Sequence, residues 1–250
     1  MKTSKLSTLL LALVLFSGNL LTAQDEVSQR EVIALLELKA KTKGHLWTNQ
    51  WDESKPITTW HGVTIKDGKV VGLDLSNNNL QGKIPITIGN LRNLETLDLS
   101  NNNIKGKIPG LFRKFDNLKE VDLGKNELTG NIPSSINQLQ NLQELNLSNN
   151  KLEGALPKTI NTLSKLNTLA LANNDLNGPM PVGMENLKKL KKLYISNNEF
   201  SDMNSLRPLA EQQTVLTDVK LTNGNMLPID FTKSKEGLSK LEFEDYKEQE

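Results

Sequence analysis

The stretch 73–85 reads "LDLSNNNLQGKIP", and 97–109 repeats it as "LDLSNNNIKGKIP". The residue opening each L-x-L phrase is Leu73, Leu97, Val121, Leu145, Leu169 or Leu193, and every step between neighbours is 24. Six consecutive units therefore share one period with no insertion. A fixed period of this length means a stack of supersecondary units, each burying its apolar face against the next.

Each position in the unit has a physical role. In "LETLDLSNNNI" the apolar Leu94, Leu97, Leu99 and Ile104 point inward. Leu97 to Leu99 is a short strand, with Asp98 facing out, because side chains alternate faces along a strand. Successive strands stack in parallel at about 4.8 Å. The middle asparagine is invariant across the units: Asn78, Asn102, Asn126, Asn150, Asn174 and Asn198. An amide supplies two donors and an acceptor, so it is expected to be buried and bonded to turn backbone that lacks a ladder partner. The third place drifts through Asn79, Asn103, Glu127, Lys151, Asp175 and Glu199. The two outer asparagines of each triplet are thus expected to be free surface. Gly106 allows a tight turn. The phrases "IGNLRNL", "INQLQNL" and "INTLSKL" place apolar residues three apart, which fits a short helical or 3₁₀ turn on the outer side.

The phrase L-x-x-N-x-L-x-G-x-I-P, running over about residues 70–226, resembles the plant-type subclass of leucine-rich repeats. That subclass is familiar from plant receptor ectodomains and polygalacturonase-inhibiting proteins. The resemblance implies an α/β repeat solenoid: a right-handed superhelix with a concave parallel β-sheet, a helical N-terminal cap and an atypical C-terminal repeat. It also implies binding of a protein, peptide or glycan ligand. Inhibition of a secreted glycan-degrading enzyme is one specific form. The short leucine-rich leader and the cysteine-free composition point to a bacterial member.

Residues 1–23 read as a signal peptide. Lys2 and Lys5 precede the apolar run Leu6 to Phe16, and small residues surround a cut between Ala23 and Gln24. The run is too short to span a membrane comfortably. Its removal takes two of the 30 basic residues and none of the 29 acidic ones, leaving 28 against 29, a net of −1. Neither value marks a nucleic-acid binder. With no cysteine in the chain, disulfides, thiolate chemistry and a lipid-modified cysteine are all excluded. Secretion or display at a cell surface or in a periplasm follows.

Residues 24–69 form the expected N-terminal cap. Ser28 and Glu31 have capping-box spacing. A helix follows, with Val32, Leu35, Leu36 and Ala40 on one face and Gly44 as its stop. Trp47, Trp51 and Trp60 are the only tryptophans and read as the core of this cap. "VTIKDGKVVGL" reads as a hairpin turning at Asp67-Gly68. The family's cap usually carries two cysteines around its W-x-G-V core; here the matching places hold Thr58 and Thr64. At the far end the best apolar match is Leu216, Val219, Leu221 and Met226, a step of 26 from Leu193 to Val219. Residues 227–250 close the chain as a C-terminal cap and charged tail.

Catalytic signals are missing. His45 and His61 have no metal-ligand spacing, and no nucleophile elbow, phosphate loop or dinucleotide fingerprint occurs. No cofactor and no metal are expected, and the chain reads as a non-enzyme. Asp74, Asp98 and Asp122 recur at one place per unit and read as a solvated row. The outward strand positions give a candidate ligand surface of Asp98, Glu120, Asp122, Glu144, Asn146, Lys192, Tyr194 and Lys220. It is acidic in the early units and basic in the last, and Tyr194 is its only aromatic, the usual form of a binding anchor. An ice- or crystal-surface binder is the alternative. Asn77, Asn101, Asn149, Asn173 and Asn197 nearly make a regular row, which Lys125 interrupts.

Overall fold

The computed structural model describes residues 27–110, 114–210, 216–217, 219–222 and 225–228. The leader at 1–23 and most of the charged tail lie outside the described residues. Each unit begins with a three-residue strand: β4 (Thr96–Asp98), β6 (Glu120–Asp122), β8 (Glu144–Asn146), β10 (Thr168–Ala170) and β12 (Lys192–Tyr194). They follow an N-terminal hairpin of β1 (Val63–Lys66) and β2 (Lys69–Asp74) and lead to a two-residue strand β14 (Leu216–Thr217). These make one sheet in the order β1-β2-β4-β6-β8-β10-β12-β14, parallel except for the first pair. Its register pairs Leu73 with Leu97, Val121, Leu145, Leu169 and Leu193 in turn. A constant 24-residue step thus keeps every inward leucine in one row, and all of these side chains are buried.

A second parallel sheet was not expected from the sequence. It comprises β3 (Gln81–Gly82), β5 (Asn103–Gly106), β7 (Glu127–Gly130), β9 (Lys151–Ala155), β11 (Asp175–Pro179) and β13 (Glu199–Asp202). These short strands bury little beyond Ile104, Leu128, Leu152 or Leu176, so hydrophobic alternation hardly marks them. The outer side is completed by 3₁₀ turns such as Ile86–Asn90, Ser134–Gln138 and Lys158–Thr162, each entered from a proline, Pro85, Pro133 or Pro157. Strands stack more closely than these bulkier turns, so the array curls toward the first sheet, which forms the concave face.

At the N-terminus α1 (Gln29–Lys41) is capped by Ser28, whose Oγ accepts the Glu31 N–H at 3.4 Å. Glu31 Oε1 accepts the Val70 N–H at 3.1 Å, tying the helix to β2. Two details differ from the sequence reading. The buried face is Ala34, Leu35 and Leu38, with Val32 and Leu36 partly covered and Ala40 exposed. The helix also ends before Gly44, because Thr42 caps it through a hydroxyl bond to Leu38 O at 2.6 Å and Lys43 takes the left-handed turn. The hairpin turns at Asp67 (φ 49°) and Gly68 (φ 66°), the type I′ geometry that Asp-Gly favours.

The C-terminal step is corrected as well. Leu193 pairs with Thr217, so the concave sheet keeps its step of 24 rather than moving to 26 at Val219. The chain then leaves the sheet and folds back as a separate antiparallel hairpin, β15 (Val219–Thr222) with β16 (Asn225–Pro228).

Candidate functional site

Concave side chains divide into those that bond the backbone and those that do not. Asp74, Asp98 and Asp122 each accept, through Oδ1, the N–H two residues on, from Ser76, Ser100 and Gly124, at 3.0, 2.8 and 2.8 Å. Asn146 does the same for Ser148 at 3.0 Å. The row read from sequence as solvated is therefore a set of local turn-formers at the strand ends. Asp122 is committed further, since its Oδ2 accepts from Asn146 Nδ2 at 3.1 Å. Glu120 and Glu144 are different. They face each other in register on β6 and β8, and neither forms a salt bridge among the described residues.

A groove of about 460 Å³ runs over these residues. It brings together Asp98, Glu120, Asp122, Glu144 and Asn146 from the sequence-derived set, and adds Thr96 and Thr168 at its sides. Partial burial raises the Glu144 carboxyl above its ordinary value, helped by the Glu120 and Asp122 charges and opposed by Lys192. Such a group binds its proton more tightly in the folded state, so its ionisation weakens the fold as pH rises through the carboxylate range. A cation placed in the groove relieves the same crowding.

Lys192 and Tyr194 lie on β12, two strands beyond β8, or about 10 Å along the sheet. Between them and the groove, Ala170 and Ala172 are buried, although alternation points them outward. Ala170 sits in register between Asn146 and Tyr194. Lys192 and Tyr194 thus edge the far end of the groove and do not line it. Lys220 does not join them: among the described residues its strand pairs in the terminal hairpin alone, opposite Leu227.

The middle asparagines form a continuous internal line. Asn102 Nδ2 donates to Leu75 O, Leu99 O and Ser100 O at 2.8, 3.0 and 2.9 Å, while its Oδ1 accepts from Asn78 N and Leu80 N at 3.1 and 2.8 Å. Asn126, Asn150, Asn174 and Asn198 repeat the pattern, each reaching carbonyls of its own and the preceding unit. Asn78 begins the line by accepting the cap's Asn49 N–H at 2.6 Å.

The first asparagine of each triplet lies at the surface, as expected, but is not free. Asn77, Asn101, Asn149, Asn173 and Asn197 all have φ between 52° and 58°, as does Lys125 at 52°. Asparagine tolerates this left-handed region far better than lysine. The side chains also bond along the row: Asn101 to Asn77, Asn173 to Asn149 at 2.9 Å, and Asn197 to Asn173 at 2.6 Å. Lys125→Asn should therefore stabilise the fold by about 0.5–1 kcal/mol, a fraction of the roughly 1–2 kcal/mol a left-handed residue costs. A thermal melt showing no gain would mean that Lys125 is compensated elsewhere.

Repeats, both sheets and the asparagine line define a leucine-rich-repeat solenoid. The Leucine rich repeat family model matches residues 69–128, 116–176 and 140–200, and the chain belongs to that family. A probable leucine-rich repeat receptor-like protein kinase of Arabidopsis thaliana is 42% identical over 52 residues, 20% of this chain and 6% of that protein. The ectodomain of the Arabidopsis receptor kinase HAESA, solved with an N-terminally extended IDA peptide hormone, superposes with a TM-score of 0.65 at 30% identity. That match covers 75% of this chain and 32% of the other. A plant ice-binding protein also superposes with a TM-score of 0.65, at 28% identity over 70% of this chain and 58% of that one. The chain thus spans less than two thirds of each of these relatives. Among the described residues no helix is long and apolar enough to cross a membrane.

Proposed function

We propose that this chain is an exported, non-catalytic binding module that holds a protein or peptide ligand along its concave sheet, with Glu120 and Glu144 as the central contacts. Asp98, Asp122 and Asn146 shape the floor, and Lys192 and Tyr194 bound one end. The observation that carries this reading is the facing carboxylate pair, exposed Glu120 against partly buried Glu144, in an open groove whose other acidic side chains are already used by the backbone. A peptide hormone seated on a similar ectodomain supports it. The leader at 1–23 supports export, from a bacterial cell on the reading above. Binding to a glycan-degrading enzyme is one form such a partner could take.

The test is capture by the immobilised full chain from the extracellular fraction of its native environment. Glu120→Lys with Glu144→Lys should lower capture of the partner at least tenfold, about 1.4 kcal/mol. Tyr194→Ala should lower it by a smaller factor. Lys220→Glu, off the concave sheet, should leave it unchanged. Equal capture by the double variant and wild type would sink this site.

A second reading is favoured by one observation, the likeness to a plant ice-binding protein combined with the bonded asparagine row. Amides repeating at strand spacing present a regular polar surface to a crystal. Thermal hysteresis measured on the purified chain decides it, and a freezing point equal to the melting point removes it.

A further inference from the structure

We propose that the flank joining the fourth, fifth and sixth units is a second binding pocket, specific for an acidic polysaccharide. It lies outside the concave groove and stands whether or not that groove binds a ligand. A pocket of about 410 Å³ opens there, with Lys165, Lys188, Lys189 and Lys191 around it, Gln143 and Asn167 among them, and buried Leu190 beneath. The repeat explains the clustering. Gln143, Asn167 and Lys191 occupy one position in successive units, and Lys165 and Lys189 share another. The backbone aligns the first row: Asn167 N donates to Gln143 O, and Lys191 N to Asn167 O, both at 2.7 Å. In the earlier units this row is neutralised, because Lys119 Nζ pairs with Glu95 at 2.5 Å. The later lysines are exposed, and none of the four forms a salt bridge among the described residues.

The chemistry of the lining selects the class of ligand. Four ammonium groups on flexible stems attract carboxylate or sulfate without demanding the planar, bidentate geometry that arginine imposes. The side-chain amides suit hydroxyl groups, which have both donors and acceptors. No aromatic side chain lines the pocket, so bases have nothing to stack on, and single-stranded nucleic acid is disfavoured. Its one apolar member is buried, which leaves no surface for a bilayer to take up.

The experiment is affinity electrophoresis of the full chain through gels containing polygalacturonate, dextran sulfate or uncharged dextran. Wild type should be retarded by at least one of the two acidic polymers and not by dextran; which one retards it separates carboxylate from sulfate recognition. Lys188→Gln, Lys189→Gln and Lys191→Gln together should weaken that retardation at least tenfold. A control with Lys55→Gln, Lys69→Gln and Lys158→Gln changes net charge equally and should retain it. The Glu120→Lys, Glu144→Lys variant keeps these lysines and should also be retarded. Failure of both acidic polymers to retard wild type overturns the proposal, as does equal loss in the control. Tighter binding to single-stranded DNA of matched charge overturns the choice of polysaccharide.

Discussion

Trp51→Ala is expected to cost about 3–5 kcal/mol, the usual range for truncating a large buried aromatic. Trp51 is the centre of the cap. It stacks on Trp60 at 4.9 Å between ring centroids, with planes 16° apart, and meets Trp47 edge-on at 4.9 Å and 84°. Aromatic pairs of this kind add roughly 0.5–1.5 kcal/mol each beyond area burial. Its indole N–H donates to His61 O at 2.8 Å, and Lys39 Nζ donates to its carbonyl at 2.8 Å. One residue thus ties the long cap loop to α1 through its carbonyl and to the entry of the first hairpin through its indole, and the alanine variant loses the indole bond and both ring contacts. The matching cap of the resembled family carries two cysteines, and this chain has none, so no covalent link compensates for its loss. Because every tryptophan lies in the cap, fluorescence reports the cap while far-ultraviolet dichroism reports the whole array. In wild type the two denaturation curves should coincide; in Trp47→Ala, which keeps the Trp51–Trp60 stack as a reporter, fluorescence should move first. A cost under about 1 kcal/mol for Trp51→Ala would place the cap's stability elsewhere.

That packing was readable in part, and the reason is instructive. Three tryptophans within 14 residues of one another have nowhere to go but a shared core, so their clustering was visible in sequence. The leucine rows were legible because a 24-residue period fixes both register and facing at once. The second sheet was not, because its strands are held by backbone and asparagine bonds and bury at most one side chain apiece. The helix face was misplaced at Ala40. α1 packs against the 3₁₀ turn at Ile86–Asn90, and of its two alanines Ala34 is buried while Ala40, six residues on and on another face, is exposed.

The candidate site was half legible. Alternation placed Asp98, Glu120, Asp122, Glu144 and Asn146 on one face, and the groove collects them. Alternation alone treats Asp122 and Glu120 alike, because both face outward on one strand. The aspartate at the strand end accepts the Gly124 amide, whereas the glutamate two residues earlier makes no such turn bond. Lys220 was misplaced because the terminal strand ends after two residues, a break that its apolar pattern conceals. The lysine pocket is not legible along the chain, because it draws Lys165 from one unit and Lys188, Lys189 and Lys191 from the next.

Asn102→Ala is the second large effect, expected at about 3 kcal/mol. A single buried group left without its partner costs roughly 1–3 kcal/mol. Here alanine orphans two N–H groups, of Asn78 and Leu80, and withdraws a donor from three carbonyls, of Leu75, Leu99 and Ser100. Partial entry of water keeps the total near the top of that range rather than at the sum. Position along the array supplies a control: Asn198 is less buried and, among the described residues, accepts from Leu176 alone, so Asn198→Ala should cost distinctly less. Asn102→Asp separates the amide's two roles. The carboxylate retains the acceptor but turns a second oxygen toward three carbonyls, and burial together with those dipoles raises its pKa above the unfolded value. The folded state then binds more protons than the unfolded one, so the variant must gain stability as pH falls through the carboxylate range. Wild type has an uncharged amide at this place and lacks that contribution. Denaturation midpoints of Asn102→Asp and wild type that move in parallel between neutral and acid pH would show that the amide's donors are dispensable. The middle asparagine would then be a space-filler in the line and not its hinge.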